Sequence, residues 1–118
     1  MTKINLQKIV KEVNPTNFKV GEIVRIYIDQ EINSTTLEVR EGKITNPNYK
    51  TQRGMEEINK LQMEVYRTGR LVVGEGLDYS HGPRAEEKNG KLKGKPYLGN
   101  FMYCHIAKFE KIPEPQTF

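Results

Sequence analysis

The sequence predicts an α+β domain in which an N-terminal helix and one further helix accompany a mostly antiparallel sheet of four or more strands. Three observations predict it. Apolar residues recur with helical spacing near the N-terminus, alternate with a period of two from Phe18 onward, and return to helical spacing between Met55 and Thr68. At 118 residues the chain suits one domain over 1–118, because two would each be too small to bury much apolar surface.

Leu6, Ile9, Val10 and Val13 form one apolar stripe, with Lys8, Lys11 and Glu12 toward water. Thr2 suits the N-cap, and Asn14-Pro15 ends this helix, which spans 1–14, because the residue before proline is pushed out of the α region. In FKVGEIVRIYIDQ, Val24, Ile26 and Ile28 alternate with Ile23, Arg25 and Tyr27, as in a well-buried strand. A second strand, STTLEVREGKIT, turns Leu37 and Val39 inward and Glu38 and Arg40 outward, with INST as the hairpin loop. Asn46-Pro47-Asn48 then breaks the sheet.

Met55, Ile58, Leu61, Val65 and Tyr66 make the second helical stripe. Glu56 and Glu57 complement the positive first turn, Arg67 the last, and Gly69 stands where a C-terminal glycine belongs. The same stretch also alternates, since Leu61, Met63 and Val65 lie two apart, and YRTGRLVV has the pattern of a hairpin turning at Thr68-Gly69, but the helix is the preferred reading because it explains both ends as well as the middle. RLVV is a third strand. FMYCHIAKFEKI is a long last one, apolar on both faces and so central in the sheet, and residues 113–118 form a surface tail.

If the second helix is a hairpin, a small β-barrel replaces the α+β domain. NFKVGEIVRIYI resembles the opening strand of SH3-like barrels in some ribosomal proteins, where an aromatic, a glycine and an acid precede alternating valines and a basic residue. The resemblance covers about a tenth of the chain and implies an SH3-like small β-barrel as the alternative fold. It implies no function.

A net charge of +4 leans toward anionic partners, yet nineteen basic against fifteen acidic residues is far from the density of a dedicated duplex-DNA protein. Cys104 is the only cysteine, which excludes an intrachain disulfide and a cysteine-rich zinc site and fits a reducing compartment. The N-terminus lacks a signal-peptide core and no run reaches the ~20 apolar residues of a membrane span, so the expected location is cytoplasmic.

The stretch from Gly74 to Asn100 holds six of the ten glycines, four lysines and one of two histidines. A connection of this length is either functional or disordered, and the segment 78–97, with Leu92 the one large apolar residue of its second half, reads as a long mobile loop. Its ends bring Tyr79, Tyr97, Asn100 and Phe101 beside basic groups. Phosphate would be met by Arg67, Arg70, Arg84, Lys91, Lys93 and Lys95, while Tyr79, Tyr97 and Phe101 would stack on bases.

Gly74-Glu75-Gly76 is no dinucleotide fingerprint, and no Walker A loop is present. Asp78, Ser80 and His81 are sequence neighbours, whereas triads are assembled from separated positions, so the expectation is no catalytic residue and an exposed His81 that contributes to ligand binding. Cys104 and His105 would point to opposite faces of a strand, Cys104 into the core, so no metal and no cofactor are expected.

The expected function is therefore a non-enzymatic small binding protein acting through the Gly74–Asn100 loop on a protein partner, an inhibitor or adaptor of the phage and mobile-element kind. An RNA- or nucleotide-binding module is the first alternative, and a small hydrolase or phosphodiester-handling enzyme using His81 the second. The mixed face of Ile23, Arg25 and Tyr27 offers a seam for a homo-oligomer.

Overall fold

The computed structural model describes residues 13–29, 35–72 and 74–113. It is an antiparallel sheet of six strands: β1 (Ile23–Ile28), β2 (Thr36–Arg53), β3 (Glu56–Val72), β4 (Gly76–Asp78), β5 (Tyr97–Met102) and β6 (Ile106–Lys111). Among the described residues the helical content is two single 3-10 turns, Pro15–Asn17 and Tyr103–His105. This overturns the α+β expectation, since the structure is 61% strand and 6% helical. The helix expected over 1–14 lies almost wholly outside the described residues. Of it, Val13 is buried and Asn14 caps the first 3-10 turn, accepting a hydrogen bond from the Thr16 amide at 3.0 Å.

The second expected helix is the first half of β3. Leu61, Met63 and Val65 are fully buried at alternate positions, so the period of two prevails over the stripe spaced by three and four. Met55, the first residue of that stripe, is fully exposed at a turn. Gly69 is no helix terminus either. It lies within β3, where a Cβ would stand 2.5 Å from the Asp78 carbonyl oxygen and 2.9 Å from Tyr79 Cα. The chain turns earlier, at Gly54-Met55, where a φ of +62° supplies the conformation that a two-residue hairpin loop needs at its first position.

Asn46-Pro47-Asn48 does not end β2. The register steps from Asn46 opposite Gln62 to Tyr49 opposite Lys60, so the bulge absorbs the proline, and the Asn46 side chain takes the Asn48 amide at 2.9 Å. Nor is the last run one central strand. The 3-10 turn at Tyr103–His105 divides it into β5, beside the N-terminal half of β3, and β6, beside β1.

Strand order is β4-β3-β2-β1-β6, with β5 also on β3. Because β5 and β6 are consecutive yet pair with opposite sides of the β1-β2-β3 meander, the sheet rolls on itself. Its inner face carries Val24, Ile26, Ile28, Ile44, Leu61, Met63, Val65 and Ile106, and Tyr97 and Phe101 pack against them. Each such buried side chain contributes on the order of 1.5–3 kcal/mol, so this interior dominates stability. A smaller cluster of Tyr27, Leu37, Val39 and Ala107, joined by Leu71 and Tyr79, occupies the outer face. β3 serves both clusters because a bulge at Tyr66 takes the register from Val65 opposite Gly42 to Arg67 opposite Glu41.

β2 and β3 run on past the last partners of β1 and β5, at Lys43 and Lys60. Residues 46–59 are thus a projecting two-stranded arm with Gly54-Met55 at its tip.

Candidate functional site

The outer face is organised by one rung of the sheet. Glu110 of β6, Arg25 of β1, Glu41 of β2 and Arg67 of β3 lie opposite one another in register, alternating in charge. Glu41 is only 1% exposed and is satisfied from three sides. Arg25 Nε donates to its Oε2 at 2.7 Å, Arg67 Nη2 donates to its Oε1 at 3.0 Å, and the Tyr79 hydroxyl donates to Oε2. A buried carboxylate is tolerable only when so enclosed by donors. Arg25 continues to Glu110 at 3.3 Å, and Glu110 also accepts the Tyr27 hydroxyl.

Ionisation follows this wiring. Burial, the largest influence on Arg25, works against its charge, but the hydrogen bond and charge of Glu41 outweigh it and raise its pKa. Burial, and then the Glu41 carboxylate, push the Tyr79 hydroxyl up to about 12; burial and Glu110 do the same to Tyr27. The Arg67 guanidinium stands 3.6 Å over the Tyr79 ring and reaches Glu86 Oε2 at 3.3 Å, binding two points of the loop's first limb to the sheet. Its Nε is buried without an acceptor.

Arg84 does a different task. β5 covers β3 from Lys60 to Val65 and β4 covers Arg70 to Val72, leaving the intervening edge to the loop. There the Arg84 carbonyl accepts the Thr68 amide at 3.4 Å, and its Nε donates to the Tyr66 carbonyl at 2.9 Å. Nη1 reaches the carbonyls of Lys93 at 3.0 Å and Gly94 at 2.8 Å, so Arg84, a residue only 8% exposed, ties the far limb of the loop to the sheet edge. Thr68 completes the joint by donating to the His81 carbonyl at 2.7 Å.

Beyond Arg84 the loop makes a small lobe. Glu86 bridges Leu92, the Glu87 amide donates to the Lys91 carbonyl at 2.8 Å, and the Lys93 amide donates to the Ala85 carbonyl at 3.0 Å. Lys88, Lys91, Lys93 and Lys95 are exposed on it. None of the four enters an ion pair among the described residues.

The eleven expected binding residues therefore separate into groups. Arg67, Tyr79 and Arg84 hold the loop to the sheet. Tyr97 and Phe101 are half-buried against the interior rather than displayed as stacking platforms. Arg70 is paired with Glu38 at 3.0 Å and His81 with Asp78 at 3.2 Å. Lys91, Lys93 and Lys95 share the exposed lobe, and Asn100 is exposed on β5, opposite Gln62.

Asp78 accepts both Ser80 Oγ at 2.6 Å and His81 Nε2 at 3.2 Å, so the serine hydroxyl is spent on the carboxylate and not presented to the imidazole. The Ser80 hydrogen bonds, more than His81, hold the Asp78 carboxyl below its ordinary range. No group of three metal-ligating side chains occurs among the described residues. Cys104, expected in the core, is exposed in the second 3-10 turn, and His105 belongs to the same turn rather than to a strand. No helix among the described residues is long and apolar enough to cross a membrane.

Comparison with protein-family models, curated proteins and solved structures finds no match. The site rests on its own geometry.

Sequence reasoning missed Arg25 and Glu41. The signal was present for Glu41, which continues the buried parity of Leu37 and Val39; a carboxylate in that series demands cationic partners on neighbouring strands. The mixed face assigned to an oligomer seam is instead occupied internally, since Tyr27 is buried and Arg25 bonds Glu41.

Proposed function

We propose that this chain is a binding module rather than an enzyme, and that its lysine lobe at 86–95 docks on the acidic surface of a protein partner. One observation carries the reading: four exposed lysines with no carboxylate partner among the described residues stand on a segment that Arg84 fastens to the sheet, while Tyr97 and Phe101 are turned into the interior. A fastened cationic surface costs less ordering on association than a free loop would. Binding of RNA would call for displayed stacking faces, whereas Tyr79 already lies under Arg67 and Tyr97 and Phe101 pack against the interior.

The test is a photo-crosslinker at Lys88 in cells. The expected result is a discrete protein adduct that survives nuclease and is lost in Lys91→Glu/Lys93→Glu. A nuclease-sensitive adduct would favour the RNA alternative. Adducts indifferent to the lysines would sink both.

A further inference from the structure

The projecting arm of residues 46–59 presents one face to solvent on the outer side of the sheet. Because Leu61 and Met63 point into the interior, Glu56, Ile58 and Lys60 point to the outer face, together with their register mates Arg53, Thr51 and Tyr49. That face continues over β5, where Met102 is opposite Lys60 and Leu98, 60% exposed, is opposite Glu64. It is a sheet face of mixed polar and apolar character, with Tyr49, Thr51 and Ile58 half-buried and Arg53 and Glu56 exposed.

From this we infer that a second copy of the chain packs its own outer face on this one, through a two-fold axis running along the arm. The argument is self-complementarity. Such an axis lays the β2 limb of each copy over the β3 limb of the other, so every residue meets the register mate of its own counterpart. Arg53 then faces the second copy's Glu56, Thr51 faces its Ile58, and Tyr49 faces its Lys60. No other simple stacking places opposite charges together at the tip. Arg53 and Glu56 enter no ion pair among the described residues, whereas the charges on the reverse face, Lys50 and Glu57, already meet at 3.3 Å within one chain. A lone two-stranded ribbon is also marginal in water, and face-to-face packing supplies the missing layer. The anionic Glu56 and Glu57 beside Lys50 and Arg53 make the arm electrically balanced, which suits a second copy better than a phosphate backbone.

The inference does not depend on the lysine lobe. It is tested by sedimentation equilibrium of the whole chain and of Arg53→Glu and Glu56→Arg, each checked for fold by near-ultraviolet circular dichroism. The native chain should associate to twice its mass, and each variant alone should dimerise about tenfold more weakly, since like charges then face each other. Mixing the two variants should restore the native affinity, because the mixed pair again sets opposite charges face to face. A chain monomeric up to about 1 mM overturns the inference. So does a dimer indifferent to both substitutions, or one that the mixture fails to restore.

Discussion

The hydroxyl of Tyr79 closes the shell of donors around the carboxylate of Glu41, joining the start of the long loop to the middle of the sheet. Removing either partner has unequal consequences. Glu41→Ala leaves two cationic side chains facing each other over a buried gap and should cost about 3–5 kcal/mol. Tyr79→Phe removes one hydroxyl and should cost about 1 kcal/mol. Urea unfolding of both variants checks the ordering, and equal losses would contradict it.

Arg84 predicts where the loop is firm. With Arg84→Lys the charge survives but one ammonium cannot reach the carbonyls of Tyr66, Lys93 and Gly94 in their separate directions. The variant should lose about 2–3 kcal/mol and the native slow exchange of the Thr68 and Lys93 amides should disappear. Rapid exchange of those amides already in the native chain would show that Arg84 does not hold the loop.

Two glycines should resist substitution for steric reasons alone. At Gly42 a Cβ would lie 1.8 Å from the Glu64 carbonyl oxygen, and at Gly69 it would lie 2.5 Å from that of Asp78. Backbone atoms cannot rotate aside. Gly42→Ala should be the worse of the two, with a loss of about 3 kcal/mol or more, and thermal melts would show it.

Alkaline pH should destabilise the fold on both faces of the sheet. Tyr27, Tyr79 and Tyr103 are each pushed up to about 12, by burial first in every case, against an unfolded value near 10. The folded chain therefore holds protons that the unfolded chain releases between these values. Their stabilisation is whole below pH ~10 and is lost as pH rises toward 12. Stability measured across that interval should fall steeply, and less steeply in Tyr79→Phe. A slope unchanged by that substitution would show that Tyr79 titrates alike in both states.

Much of the strand content was legible because burial here follows alternation: Val24, Ile26 and Ile28 declare β1 without ambiguity. The error over 55–68 has a physical origin. Met55 mimics a helical position because a hairpin tip tolerates any side chain that water can surround, and Glu56, Glu57, Arg67 and Gly69 happen to suit helix ends while forming ladder pairs instead. The site was half legible. Exposed lysines could be read from composition, but the burial of Arg84 depends on a gap between two strands that pair with different halves of β3, and no local pattern announces that.

Since Arg84 fastens the chain where the lobe leaves the sheet and β5 takes it up again at Tyr97, the intervening residues 86–95 contribute little to the interior. The molecule thereby separates what must stay constant from what can be exchanged. The length and charge of this one segment can therefore be changed without disturbing the side chains that build the interior of the sheet.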